Sequence, residues 1–258
     1  MNYKTKVLII KTRNFLEADK ILIALDENGA KVQFVGKGAR RPLAKMAGYL
    51  NLFNYLNLVI AEGKNLDIVT SAENITNFKN LETDLEKTGV AFLIAELLDK
   101  LLEEKEKHYN LQKLTLCSYS WLNKSNKDQS RKIISFFLIN ILEKIGLLPE
   151  LYKCINCNQN LSLKGLWFDF EKGGVICDKC QDQKQSGKEI SEKEVKIIRL
   201  YLEIEKRISV GNLKRLDILK KIDNNLDKRI NETLLKFIEY NTDRTFKSSE
   251  FLIKIKNL

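Results

Sequence analysis

The apolar positions of this chain change their period once, close to residue 80. Ahead of that point they run in short blocks or alternate. Val7 to Ile10 is one block, Lys20 to Leu25 contains another, and Ala30, Val32 and Phe34 face away from Lys31 and Gln33. Period two is the pattern of a half-buried strand. Asn28-Gly29 stands between the second and third runs, and because both residues tolerate positive φ the pair predicts a hairpin with a type I′ turn. Leu50, Leu52, Leu56, Leu58 and Ile60 line a fourth strand, Glu62-Gly63-Lys64-Asn65 turns it, and Leu66, Ile68 and Thr70 continue a fifth. Five short strands in residues 1–78 predict a small closed barrel of the oligonucleotide-binding (OB) kind.

Beyond residue 79 the spacing becomes three and four. Val90, Leu93, Ile94, Leu97, Leu98, Leu101 and Leu102 form the stripe of an amphipathic helix, with Glu96, Asp99, Lys100 and Glu103 on its wet side. A second helix is predicted over 111–122. Residues 133–148 are apolar almost all round, which predicts a buried central helix, opened by an Asn126/Gln129 capping pattern and ended by Gly146 and Pro149. Ser191 with Glu194 marks another helix start, running toward Arg207. One or two further helices fall between Arg215 and Tyr240, and 251–258 fits no single pattern. The expected fold class is α+β: an N-terminal five-stranded OB-fold barrel, residues 1–78, followed by an all-α domain, residues 79–258, with an inserted four-cysteine zinc module at about 150–187.

The cysteines supply that module. Cys154-Ile155-Asn156-Cys157 and Cys177-Asp178-Lys179-Cys180 are two C-x-x-C pairs nineteen residues apart, the spacing of a four-thiolate zinc site. Each two-residue spacer lets a tight turn aim both sulfurs at one ion, and the second pair completes the tetrahedron. With no position left open for water, one Zn2+ ion is expected to be structural rather than catalytic. Gly173-Gly174 offers backbone freedom just ahead of the second pair. An iron–sulfur cluster is the rival occupant. Cys117, on a helical pattern with Leu114 and Trp121, reads as a core thiol.

Charge points to a polyanionic partner. The chain has 44 Lys+Arg against 34 Asp+Glu, a net +10, with the excess in residues 1–78 (11 basic, 7 acidic) and 151–258 (22 basic, 16 acidic). Between Glu27 and Glu62 there is no acidic residue, yet Lys31, Lys37, Arg40, Arg41 and Lys45 all lie there. These five are the candidate phosphate-backbone contacts. Phe34, Tyr49, Phe53 and Tyr55 flank them as candidates for base stacking, since single-strand binders combine cations along the backbone with aromatic faces. Gly36-Lys37 is not a nucleotide-triphosphate loop: Lys31, not glycine, stands five positions before Gly36, and Gly38 follows the lysine where Ser or Thr is required. His108, the single histidine, reads as a surface residue at a charged helix end, which removes histidine triads and most acid–base schemes, so no enzyme is expected. The start lacks a signal-peptide core, and no apolar stretch reaches the roughly 20 residues a bilayer requires. A cytoplasmic, nucleoid-associated protein with reduced thiols and no membrane contact is expected.

Four fragments carry a resemblance. They are Lys37-Gly38-Ala39-Arg40-Arg41 after the third strand, Gly48-Tyr49-Leu50-Asn51-Leu52-Phe53 opening the fourth, Leu148-Pro149-Glu150-Leu151 before the first cysteine pair, and Gly173-Gly174-Val175-Ile176-Cys177 at the second. In this order and spacing, over essentially the full length, the chain resembles the RecO-type DNA repair and recombination mediators. The resemblance implies binding of single- and double-stranded DNA, annealing of complementary strands, interaction with RecR and with the acidic C-terminal tail of single-stranded DNA-binding protein (SSB), and help to RecA in replacing SSB. It places the DNA contacts on Lys37, Arg40 and Arg41. Asn158 stands after the first pair where the family usually has glycine. The rival readings are an RNA-binding OB/zinc protein of translation or transcription, a metal-dependent nuclease or deaminase, which a closed four-thiolate site disfavours, and a scaffold that binds no nucleic acid.

Overall fold

The computed structural model describes residues 2–41, 46–81, 84–126, 129–161, 164–183, 186–209, 219 and 221–255. The chain divides into two compact units, Met1–Asn123 with Phe246–Leu258, and Lys124–Thr245.

In the first unit, β1 (Asn2–Phe15), β2 (Asp19–Leu25), β3 (Lys31–Gly36), β4 (Tyr55–Ala61) and β5 (Asp67–Thr76) form a closed barrel in the order β1-β2-β3-β5-β4. The β3–β5 pair is parallel and completes the closure. Val7, Ile9, Leu22, Ala24, Phe34, Leu58, Ile60 and Val69 belong to one core cluster. The intervening Leu8, Ile10, Ile23 and Leu25 are buried as well, so β1 and β2 are apolar on both faces and their outer wall needs cover. Helices meet that need. α1 (Leu85–Leu101) packs on β1, α2 (Leu111–Lys124) sends the Gln112 amide to the carbonyls of Lys6 and Leu25, and α6 (Lys247–Ile255) packs on α1. The barrel ends close to the residue-78 boundary read from the sequence, and the compact unit runs on past it.

The β2–β3 turn differs from the expected type I′. Gly29 N–H donates to Asp26 O and Asp26 N–H to Ala30 O, both at 3.0 Å, and in Glu27-Asn28-Gly29 only Gly29 has positive φ, at 74°. This is a type I turn followed by a left-handed glycine. Its cause is Asp26, whose carboxylate accepts from the N–H groups of Asn28 and Ala30 at 2.9 and 2.8 Å. A Cβ on Gly29 would meet the His108 carbonyl oxygen at 1.9 Å. The helix stops at Leu101, and residues 102–110 pass close to the turn, with Lys105 N–H donating to Lys31 O at 2.9 Å. His108 is thus not an exposed residue on a helix end. Its side chain is 9% exposed, with Nε2 3.6 Å from the Glu106 carboxylate.

The second unit contains α3 (Ser130–Lys144), α4 (Glu192–Glu205) and α5 (Asn224–Thr242), with α3 packed against the other two. The capping box at α4 is reciprocal: Glu194 N–H donates to Ser191 Oγ at 3.3 Å and Ser191 N–H to Glu194 Oε2 at 2.8 Å. The capping pattern read at Asn126 does not open α3. Gln129 is itself the N-cap and makes no side-chain cap bond. α3 buries Ile133 to Leu142, and with them Ser130, Lys132, Ser135 and Asn140. Lys132 Nζ donates to Asn224 and lies 3.6 Å from Asp227 Oδ2. Tyr201 OH donates to Asp227 Oδ1 at 2.5 Å, and Ser135 Oγ to Asn231 Oδ1 at 2.8 Å. Between α3 and α4 the chain builds the cysteine module on a small sheet, β6 (Leu166–Asp169), β7 (Gly174–Ile176) and β8 (Gly187–Ile190), in the order β7-β6-β8.

Candidate nucleic-acid interface and metal centre

Lys20 pairs with Gly36 at one end of the barrel, so the loop after β3 emerges beside the β1–β2 turn. Backbone groups fix it there. Gly38 N–H donates to Asp19 Oδ1 at 2.7 Å, Arg40 N–H to Ala18 O at 2.9 Å, and Arg40 Nη1 to the carbonyls of Leu16 and Glu17 at 3.3 and 3.1 Å. Ala39 is buried beneath, while Lys37, Arg40 and Arg41 are exposed. Lys20, its Nζ 3.4 Å from Asn51 Oδ1, belongs to the same end. Its absence from the sequence-derived set has a simple cause: it lies before Glu27, outside the acid-free stretch, and only strand register brings it to the loop.

The other candidates go elsewhere. Lys31 pairs with Leu25 at the far end of β2–β3, and its Nζ donates to Asp99 O in the last turn of α1 at 2.7 Å. It satisfies a helix C-terminal carbonyl and does not join the cation cluster. Lys45 lies outside the described residues. Phe34 is sealed inside the barrel, and Phe53 is buried edge-to-face against Phe92 and Tyr119, ring centroids 5.4 Å apart in both pairs. Neither ring offers a face to a base, which corrects the stacking expectation for both. Tyr55 is half-buried opposite Leu8, the residue that also pairs with Leu25, so it is away from the loop. Burial and then the Glu27 carboxylate raise its phenol pKa. Tyr49 is exposed, next to Leu50, which packs against Gly36.

The second site is the cysteine cluster. Asn158 N–H donates to Cys154 O and Cys154 N–H to Gln159 O, both at 2.8 Å, folding the first knuckle. Asn158 takes φ +58° there, the left-handed position that asparagine tolerates better than most residues, so the turn forms without the family's glycine. Cys180 N–H donates to Cys177 O at 3.1 Å in the second knuckle, and Ile155 N–H to Val175 O at 3.1 Å ties the two together. Of the two glycines expected to give the second knuckle backbone freedom, one serves the turn before it and the other serves packing. Gly173 takes its positive φ in the β6–β7 turn, and a Cβ on Gly174 would meet Ile155 Cγ2 at 2.5 Å, so the pair allows close approach of the knuckles.

The four Sγ atoms of Cys154, Cys157, Cys177 and Cys180 lie within 4.8 Å of one another and could hold a metal ion. Burial opposes ionisation of Cys154, but the N–H groups of Cys157, Cys177 and Asn156 outweigh it and bring that thiol down to about 6. Burial, with the sulfurs of Cys154 and Cys157, keeps Cys177 raised. Burial and its three sulfur neighbours push Cys180 up to about 12. Four thiols this close become four thiolates only around a cation, so the donor set fits a metal. Ile176, Leu161 and Trp167 pack around it.

Among the described residues no helix is long and apolar enough to cross a membrane. The family model for the N-terminal part of recombination protein O matches residues 1–78, and that for its C-terminal part matches residues 82–250. A DNA repair protein RecO from Dehalococcoides mccartyi is 32% identical over 229 residues, covering 89% of this chain and 88% of that one. One from Symbiobacterium thermophilum is 28% identical over 257 residues, covering 99% and 98%. One from Caldanaerobacter subterraneus is 29% identical over 254 residues, covering 98% of each. With both parts matched in order and a relative above 30% identity along most of its length, the chain belongs to the recombination protein O (RecO) family of DNA repair proteins.

Proposed function

We propose that this chain is a non-enzymatic mediator of DNA repair and recombination. It binds single- and double-stranded DNA, anneals complementary strands and, with RecR and the SSB tail as partners, helps RecA replace SSB on single-stranded DNA in the cytoplasm. The observation that carries the reading is the loop after β3, where Lys37, Arg40 and Arg41 are exposed while their backbone is tied to Ala18 and Asp19. A fixed array of cations neutralises phosphates and reads no sequence. Annealing follows from the same charge, because screening two polyanions at once lowers their repulsion and no covalent bond changes. The resemblance supplies the protein partners.

Zinc is the metal of this reading. Tetrahedral Zn–S bonds of about 2.3 Å set the sulfurs roughly 3.8 Å apart, and Cys157 and Cys177 are 3.8 Å apart. Four thiolates saturate the ion, so its role is to hold residues 154–180 in shape.

Lys37→Glu with Arg41→Glu tests the reading while leaving the anchorage of Arg40 intact. Affinity for single and double strands at low salt is expected to fall roughly tenfold or more, and the slope of log affinity against log salt to flatten by about 0.7–0.9 per cation removed. Annealing of SSB-coated complementary oligonucleotides without nucleotide falls with it. Unchanged affinity in the folded variant overturns the site. Stronger binding to structured RNA than to DNA moves the protein to the RNA-binding reading.

A further inference from the structure

The β1–β2 turn is built from residues that do not favour a turn. Leu16, Glu17 and Ala18 close Phe15 against Asp19 without a glycine, asparagine or proline. Leu16 adopts φ +49°, a region where L side chains are strained and glycine is not. Leu16 is 72% exposed and Phe15 is 37% exposed, so packing does not account for a leucine at this point. Backbone and solvent both disfavour it. The strained turn is nevertheless clamped, with the Arg40 guanidinium on the carbonyls of Leu16 and Glu17 and the Arg40 N–H on that of Ala18. A costly conformation that is held this firmly points outward to a ligand.

We propose that Phe15 and Leu16 form an apolar wedge against which the unpaired bases of single-stranded DNA lie, while Lys20, Lys37, Arg40 and Arg41 hold the adjoining phosphates. This rests on the reading of this barrel end as a DNA interface. The surroundings select the ligand. Residues 13–20 and 36–41 carry five cations, Arg13, Lys20, Lys37, Arg40 and Arg41, against Glu17 and Asp19, and the Asp19 carboxylate is already engaged by the Gly38 amide. An anionic chain is therefore favoured. Two apolar side chains are a small patch for a protein partner, but they match the face of a nucleobase. Bases in a duplex are covered by their neighbours, and an apolar side chain enters only by unstacking a base step, whereas unpaired bases expose a face to stack. The wedge thus confers a preference for single strands that the cations alone do not supply.

The test uses the full chain and an oligonucleotide carrying 2-aminopurine, whose fluorescence reports base stacking. Leu16→Gly relieves the positive φ, and Phe15→Ala/Leu16→Gly removes the wedge. The double variant is expected to bind single strands about tenfold more weakly and to lose the 2-aminopurine signal, while duplex affinity and salt slope stay as in the parent. Retained duplex binding also shows that the variant folds and that the cation loop is in place. Two results overturn the proposal: an unchanged 2-aminopurine signal and single-strand affinity, or an equal loss on single strands and duplex, which would make the tip a support for Arg40. If the parent protein binds neither form of DNA, the DNA reading itself fails and the wedge falls with it.

Discussion

The core of the barrel is aliphatic and aromatic, with Leu22, Phe34, Leu58 and Val69 in one cluster, whereas the core of the helical unit encloses Lys132, Asp227, Ser135 and Tyr201. The first kind of core loses stability in proportion to the volume removed. The second depends on pairing, because a buried charge without its partner carries the full cost of desolvation. The cysteine module is the extreme of this second kind, a small sheet organised around four sulfurs. The two units should therefore fail for different reasons.

Chelation, or Cys157→Ser, should break the comparison most visibly. Structural zinc contributes on the order of 10 kcal/mol in small peptides, so residues 151–190 are expected to lose hydrogen-exchange protection and Trp167 to change its emission. The barrel should keep its protection and the DNA affinity proposed for it. Loss of both together would show that the units do not stand apart.

A second test compares the helical and barrel cores directly. Lys132→Ala should cost about 3–5 kcal/mol by stranding Asp227, and Leu58→Ala about 2–5 kcal/mol by opening a cavity, both read from urea denaturation. The discriminating variant is Lys132→Met with Asp227→Asn, which keeps an acceptor for Tyr201. It should recover most of the Lys132→Ala loss, as no apolar replacement at Leu58 need do. Failure to recover would mean that the ion pair itself, rather than the absence of a stranded charge, holds α3 to α5.

The smallest effect is in pH. Glu96 of α1 is opposed by burial, but Lys100 and the N–H groups of Ser248 and Lys247 prevail and lower its pKa below 4.5. It contributes stability above the unfolded value, and that contribution is lost as pH falls through the depressed one. Asp227 goes the other way. Burial outweighs Tyr201 and Lys132 and raises it above 3.8, so its contribution is full below the unfolded value and is lost as pH rises through the raised one. Acidification from pH 6 should loosen α6 on α1 while relieving the second unit at Asp227. Hydrogen exchange in α6 and α5 separates the two, and a parallel loss in both helices would contradict the opposite signs.

Much of this was legible in the residues. Apolar blocks and alternation placed the strands, three-and-four spacing placed α1, an apolar run placed α3, the Ser191/Glu194 pattern placed α4, and two C-x-x-C pairs placed the cluster, because each is a local pattern. What escaped depends on distant partners. Lys132 sits in an otherwise apolar helix and is intelligible only with Asp227, on α5. Lys31 has the composition of a DNA contact, yet the end of α1 claims its ammonium. Phe34 and Phe53 have the ring a base would stack on, and burial removes them. The β1–β2 turn left no signal because none of its residues is a turn former, and His108 read as an exposed helix end because its burial depends on a segment that meets the distant Gly29 turn.

The amides of Lys247 and Ser248 end on Glu96, 151 and 152 positions earlier in the chain. The polypeptide thus leaves the first unit after residue 123 and re-enters it at 246. On the ribosome, α1 must wait for its last neighbour until all of the intervening chain has been made, roughly 8–30 seconds at about 5–20 residues per second. During that delay the cysteine knuckles at 154–157 and 177–180 are already made and can close before the strand-built unit is complete.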